Sequence, residues 1–122
     1  MQQKTLFNIP FWEMQTINFT KKKKDIVKLL KKYPEEKLEL QDFYTNRQTD
    51  TEGLVKGFAD IIKEELTILA EQVFQRNIGI IDCWSISYDK NDYHLTHNHS
   101  STGITGILYL DLPEESPVTT YI

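Results

Sequence analysis

The sequence has a single cysteine, Cys83, among its 122 residues. One cysteine cannot form an internal disulfide, and secreted proteins of this size more often carry a paired set, so a reducing, cytoplasmic setting is favoured. Long apolar runs are also absent, since no stretch approaches the roughly 20 apolar residues that span a bilayer. The opening "MQQKTLFNIPFW" lacks the continuous apolar segment of a signal peptide. No membrane role is expected.

Positive charge is in deficit, because 18 acidic residues outweigh 14 basic ones and give a net charge of -4. This balance disfavours nucleic acid as the main partner. A lysine run at 21–24 is read as the solvated face of a helix. With 26% charged and 39% hydrophobic residues the composition is that of a globular protein, and its length predicts one domain, 1–122.

The first part of that domain, 1–78, is expected to supply a short N-terminal strand, an interruption at Pro10, a second extended piece and helical support. Thr20 is the predicted N-cap of a first helix, which ends before Pro34. A second, longer helix is capped by Asp50 or Thr51 and carries one broad apolar stripe. Its members are Leu54, Val55, Phe58, Ile61, Ile62, Leu66, Leu69, Ala70, Val73 and Phe74. The C-terminal third is the expected packing partner of this stripe.

The second part, 79–122, is predicted to be β structure. In "IIDCWSISY", 80–88, residues alternate, which places Ser85 and Ser87 on the face opposite Trp84 and Tyr88. "DKND", 89–92, is a turn signal. The run "ITGILYLDL", 104–112, is apolar on both faces and predicts a buried central strand, and "VTTYI" begins a further strand.

Three histidines lie between these segments, in "YHLTHNH". His97 and His99 stand two apart, so on an extended strand both side chains project from one face, within reach of one ion. Imidazole is the commonest protein ligand of Zn, Cu, Fe and Ni. His94 has the opposite parity and is expected near the metal or on the surface rather than as a ligand. The alternative is that all three are solvated residues of an exposed strand.

The stretch "WSISYDKNDYHLTHNHSSTGITGILYLDLP", Trp84 to Pro113, resembles the first half of the double-stranded β-helix core of Fe(II)/2-oxoglutarate-dependent dioxygenases. It is most similar to the 2OG-Fe(II) oxygenase group of bacteria and phages. "LFNIPFW", "YTN" and a long helix before the core fit the same family. The resemblance implies an α+β fold in which the N-terminal strand and two helices pack on the first strands of an incomplete jelly-roll, or cupin-like, core.

The resemblance makes His97 and His99 metal ligands for Fe(II), with 2-oxoglutarate as cosubstrate. His99 departs from the family, which commonly has an aspartate at that position. Tyr93 and Tyr109 are similar to positions that line the 2-oxoglutarate pocket, and Tyr109 is the better match. Tyr88 either serves the same pocket or packs, as does Trp84. The substrate itself is unreadable from these residues.

The family also has a distal histidine ligand and a basic residue for the 2-oxoglutarate carboxylate, yet no histidine, lysine or arginine follows His99. Three explanations stay open: a fragment of a longer oxygenase, a core completed by a second copy or another chain, or a degenerate relative. The 122 residues alone are therefore expected to be inactive. Two other functions compete, a non-catalytic cupin-like metal module that uses His97 and His99 with His94 or Asp92, and an interaction protein without metal.

Overall fold

Two antiparallel strand pairs and three α-helices form the part of the chain that the computed structural model describes, residues 1–6, 9–39, 41–90, 92 and 103–112. The fold is therefore α+β, as predicted. The strands are β1 (Gln2–Leu6), β2 (Ile9–Glu13), β3 (Tyr44–Thr45) and β4 (Ile86–Ser87). The helices are α1 (Phe19–Leu30), α2 (Glu52–Ile61) and α3 (Lys63–Leu69), which continues into one π-helical turn, Ala70–Phe74.

The N-terminal strands form a hairpin in which β1 pairs with β2, from Gln2 opposite Glu13 to Leu6 opposite Ile9. The predicted interruption at Pro10 is wrong, because Pro10 lies within β2 opposite Thr5. In a two-stranded sheet both strands are edges, so a proline without an N–H group is tolerated where that group would point away from the partner. An edge-to-face contact between the Trp12 and Phe74 rings, 6.1 Å apart, joins the hairpin to the π-helical turn.

Helix α1 confirms the first predicted helix, but it begins two residues earlier than a Thr20 cap would allow. Asn18 occupies the N-cap in the left-handed conformation, with φ 52° and ψ 53°, and no side-chain cap bond forms there. Asparagine tolerates this conformation better than most residues, which explains why the helix begins behind it. Ile26 is the buried apolar residue of α1, at 4% exposure.

The lysine run is not uniformly solvated, because Lys22 points into the protein. Its ammonium group donates to both carboxylate oxygens of Glu65 on α3, at 2.7 and 2.9 Å, and lies 3.0 Å from Glu64. Burial alone would lower the pKa of Lys22, but the hydrogen bonds and charges of the two glutamates raise it above its ordinary value. Lys22 and Glu65 are only 7% and 6% exposed, so they tie α1 to α3 inside the fold.

The second predicted helix is present from Glu52 to Phe74 with one break at Ile62, where the backbone leaves helical geometry. Of its two predicted caps, Asp50 accepts a hydrogen bond from the Glu52 amide at 3.1 Å, whereas Thr51 makes no cap bond. Leu54 is its most buried apolar side chain, at 2% exposure.

Helix α2 packs against α1, a partner that the sequence did not indicate. A Cβ atom at Gly57 would lie 2.8 Å from the Leu29 side chain, so that side chain packs directly against the α2 backbone at this point. The expected packing of the whole stripe on the C-terminal third is wrong for this part of α2. None of the described helices has the length and apolarity of a bilayer span.

The C-terminal third contains less strand than predicted. Within 80–88 only Ile86–Ser87 is strand, and it pairs antiparallel with Tyr44–Thr45. The predicted buried strand at 104–112 is wrong: these residues form no strand, and Ile104 and Ile107 are 67% and 57% exposed. An apolar segment is buried only where another layer covers it, and both isoleucines lie largely open to solvent.

Candidate functional site

Four residues of the histidine motif, Tyr93, His94, His97 and His99, lie outside the described residues, so their roles stay predictions. The described segments that flank them are 85–90, Asp92 and 103–112. Since these segments fix where the motif leaves and rejoins the described structure, their contacts define the frame of the candidate site.

The frame is built on Asn46, whose side chain is fully buried. Its amide nitrogen donates to the Tyr33 carbonyl at 3.0 Å, and its Oδ1 accepts from the Ser85 amide at 2.9 Å. The Thr45 hydroxyl donates to the Ser85 carbonyl at 2.9 Å. Buried polar groups require such partners, so the "YTN" segment holds the end of α1 and the residue before β4 in a fixed relation.

Glu35 binds the same segment from its other side. Its carboxylate accepts hydrogen bonds from the Ser85 hydroxyl at 2.8 Å and from the Ser87 hydroxyl at 2.5 Å. Two side chains two residues apart can reach one carboxylate only when they project from one face of an extended chain. The predicted shared face of Ser85 and Ser87 is therefore confirmed.

The turn predicted from "DKND" is confirmed. The Asp92 amide donates to the Asp89 carbonyl at 3.0 Å, and the Asp92 carboxylate accepts from the Asp89 amide at 2.8 Å. The other carboxylate oxygen accepts from the Lys37 ammonium at 3.1 Å. The Asp89 amide and Lys37 together lower the pKa of Asp92 below its ordinary value. Both oxygens of Asp92 thus have partners, which disfavours the suggested metal-ligand role for this residue.

Tyr88 and Tyr109, two of the three predicted 2-oxoglutarate residues, lie close enough to interact. Burial first, and then the charge of Tyr109, raise the pKa of Tyr88 above its ordinary value. Tyr88 also packs on the Phe43 ring, with centroids 6.0 Å apart. The two tyrosines are 50% and 41% exposed, so each has one side against the protein and one open to a ligand.

Trp84 has a different environment. The Arg47 guanidinium lies over its ring, 4.4 Å from the centroid, in a cation–π contact. Arg47 also lines the open cavity of about 630 Å³ beside the start of α2, together with Thr51, Lys56, Ile81 and Asp82. Neither Tyr88 nor Tyr109, the two described residues predicted to bind cosubstrate, is among the residues that line this cavity.

The described residues contain no group of three or more histidine, cysteine or acidic side chains placed to hold a metal ion. Burial, and to a lesser extent Asp82, raise the pKa of Cys83 to about 11. The thiol is therefore protonated at neutral pH and unsuited to metal binding or nucleophilic chemistry. Any metal ligands must come from elsewhere in the chain or from a partner.

Sequence reasoning missed three residues of this frame, Glu35, Lys37 and Asn46. "YTN" was noted, but only for its resemblance, and nothing in the pattern showed that its asparagine would be fully buried. Glu35 and Lys37 follow Pro34 in a polar segment without helical or strand periodicity. A carboxylate that binds two serines, or a lysine that binds a turn aspartate 55 residues later, has no local signal in the sequence.

Comparison with protein-family models, curated proteins and solved structures found no match to this chain.

Proposed function

We propose that this chain contributes the near half of an Fe(II)/2-oxoglutarate-dependent dioxygenase site, in which His97 and His99 bind the iron and Tyr88, Tyr93 and Tyr109 line the 2-oxoglutarate pocket. The observation that carries the proposal is the proximity of Tyr88 and Tyr109. These two phenols come from segments on either side of the histidine motif and are close enough for one to raise the pKa of the other.

The proposed ligands are of a chemical type that binds iron. Two imidazoles on one face of an extended chain provide two of the three protein ligands of a non-haem iron site, which leaves positions open for a cosubstrate. Asp92 is engaged in its own turn and with Lys37, so the histidines are the donors that this part of the chain offers. Iron and 2-oxoglutarate, when bound, supply the oxidising chemistry that hydroxylates a carbon–hydrogen bond.

The chain's own contribution is to bind and orient the cosubstrate. The Tyr88 phenol is protonated at neutral pH, as tyrosine ordinarily is, and burial raises its pKa further, so it can donate a hydrogen bond to a carboxylate. Packing against Phe43 fixes its ring. The Asp89–Asp92 turn, held by Lys37, then sets the direction in which the chain enters the histidine motif.

The proposal extends to the fold and the partner. The α+β frame is taken as the support of a double-stranded β-helix core, whose remaining ligand and carboxylate-binding basic residue come from a longer form of this chain, a second copy or another polypeptide. Ile104 and Ile107 lie in an apolar segment and are largely exposed. This exposure is consistent with such a core, because further strands would cover the segment. The substrate class stays open.

Anaerobic titration with Fe(II) and then 2-oxoglutarate tests the proposal. In the complete assembly that supplies the remaining ligand and the basic residue, we expect the wild-type chain to bind Fe(II) and to develop a visible charge-transfer absorption when 2-oxoglutarate is added. His97→Ala and His99→Ala should each abolish both signals. His94→Ala is the matched control, because it removes one imidazole of opposite parity, and it should leave Fe(II) binding unchanged. Equal losses in all three variants would contradict the assignment of ligands.

Tyrosine variants test the cosubstrate pocket separately. Tyr88→Phe and Tyr109→Phe remove only a hydroxyl group, so each should weaken 2-oxoglutarate binding by about tenfold while Fe(II) affinity stays the same. Tyr44→Phe is the control, because Tyr44 lies on β3 outside the proposed pocket. If Fe(II) binds without any response to 2-oxoglutarate, the chain is a metal-binding module and the oxygenase proposal fails.

A further inference from the structure

Half of the chain's basic residues lie in one helix. Seven of the fourteen lysines and arginines fall between positions 21 and 32, on α1 and the turn that follows it. Five of them recur at intervals of three, four, three and one, which places them on one side of a helix. We call this surface the lysine face; it consists of Lys21, Lys24, Lys28, Lys31 and Lys32. All five are exposed, whereas Lys22, on the opposite side, is buried.

The charge of the lysine face is largely unneutralised. Lys21 lies 3.5 Å from Asp25, in an exposed pair. Within the described part of the chain, Lys24, Lys28, Lys31 and Lys32 form no ion pair with any acidic side chain. The net charge of -4 therefore averages over a strongly uneven surface, in which a positive face stands apart from an acidic remainder.

The fold gains little from this arrangement. The first turns of a helix carry the positive end of its dipole, where acidic residues stabilise and lysines do not. Helix α1 has no acidic residue in its first turn. Lysines four apart, such as Lys24 and Lys28, repel one another on the helix surface. Lys28, Lys31 and Lys32 suit the negative end of the dipole at the C-terminus of α1, whereas Lys21 and Lys24 gain nothing from it. Helix stability therefore explains only part of the positive charge on this face.

We propose that the lysine face binds the phosphate backbone of a nucleic acid without reading its sequence. From Lys21 to Lys32 the face extends about 16 Å, at about 1.5 Å per residue. One strand of a duplex presents a phosphate about every 3.4 Å along its axis, so the same length spans about five phosphates, but the strand winds around that axis and only some of them face a straight helix. About five is therefore the upper limit of phosphate contacts with a duplex, whereas a flexible single strand can follow the whole face.

A membrane surface fits less well. Membrane-bound amphipathic helices insert an apolar face beside their basic one. The apolar face of α1 is already used inside the protein, since Ile26 is buried and Leu29 contacts Gly57 of α2. Val27 and Phe19 are partly exposed, at 42% and 37%, but the five lysines outnumber them on the outside of the helix, which suits a polyanion in water.

Fluorescence anisotropy with labelled oligonucleotides of about 20 nucleotides, single-stranded and duplex, tests the proposal at salt concentrations of about 50 to 200 mM. With at most about five phosphate contacts, log K should fall against log salt with a slope no steeper than about -4.5 for the duplex and about -3.5 for the single strand. The triple variant Lys24→Gln, Lys28→Gln and Lys31→Gln should bind at least about tenfold more weakly at low salt, with a slope nearer zero by about 2 to 3.

The matched control is Lys56→Gln, Lys63→Gln and Lys90→Gln, which changes net charge equally at three exposed lysines outside α1. It should keep both the affinity and the salt slope of the wild type, and circular dichroism should show both triple variants folded. Equal weakening in the two variants would reduce the effect to net charge and overturn the proposal. So would the absence of binding at low salt, or lysine-dependent binding to vesicles of anionic phospholipid but not to either oligonucleotide.

Discussion

Asn46 offers the sharpest test of what holds the structure together. It is fully buried and makes two hydrogen bonds of opposite sense, donating to the Tyr33 carbonyl at 3.0 Å and accepting from the Ser85 amide at 2.9 Å. Asn46→Ala removes both at once and leaves a donor and an acceptor without partners. Each such loss costs about 1–3 kcal/mol, so we expect the free energy of unfolding to fall by about 2–6 kcal/mol. That is a large share of the roughly 5–15 kcal/mol of an ordinary domain.

Asn46→Asp separates the two bonds, because its protonation state decides whether it can donate. An ionised aspartate still accepts from Ser85, but it faces the Tyr33 carbonyl without a proton and is buried as a charge. Burial raises the pKa of such a carboxyl, and the protonated form can both donate and accept as the asparagine does. The variant should therefore be strongly destabilised at neutral pH and should approach the wild type as the pH falls through its raised pKa.

Urea unfolding followed by tryptophan fluorescence and far-ultraviolet circular dichroism, at several pH values for wild type and both variants, provides the measurement. Asn46→Ala should show a pH-independent loss, and Asn46→Asp a loss that shrinks in acid. A cost below about 0.5 kcal/mol for Asn46→Ala would refute the reasoning, because surface substitutions lie in that range. So would an Asn46→Asp deficit that grows as the pH falls relative to wild type.

Three further predictions concern the charges and the thiol. Lys22→Met should lower the urea midpoint because Glu65 stays buried without a cation, whereas Lys22→Met with Glu65→Leu should recover most of the loss; an unrecovered double variant would contradict the ion-pair role. The lowered pKa of Asp92 means that its ionised form stabilises the fold above the ordinary value of 3.8 and that this contribution is lost as the pH falls through the depressed pKa. Asp92→Asn should thus be less stable than wild type at neutral pH and equal to it in strong acid; a constant difference in unfolding midpoints would argue against this. With its pKa near 11, Cys83 should react with iodoacetamide at pH 8 on the order of 100-fold more slowly than in the unfolded chain, and equal rates would show that burial does not protect it.

Local patterns predicted the local structure of this chain. Apolar residues at helical spacing indicated α1 and the stretch from Glu52 to Phe74, because that periodicity exists only when one helix face is buried. "DKND" indicated a turn, since aspartate side chains bind nearby amides, as Asp92 does with Asp89. Strict alternation likewise placed Ser85 and Ser87 on one face.

Long-range partners were not predictable in the same way. Nothing in a run of four lysines distinguishes Lys22 from its neighbours until Glu65, 43 residues later, lies opposite it. Alternation over 80–88 predicted a long strand, but pairing needs a neighbour of equal length, and β3 provides only Tyr44 and Thr45. Of the candidate site, the tyrosine pair was indicated by resemblance alone, and the histidine pair still depends on that resemblance and on its own spacing.

The close approach of α1 and α2 restricts how the two helices can change over evolution. Glycine lowers helix stability by about 1 kcal/mol relative to alanine, yet α2 carries Gly53 and Gly57 one turn apart, beside Tyr33 and Leu29. A side chain at either glycine would meet the facing residue, so a single substitution there is disfavoured while a matched pair is accessible. We therefore expect paired variation among relatives of this chain, between positions 57 and 29 and between positions 53 and 33. Within each pair, a larger residue at one position should accompany a smaller residue at the other.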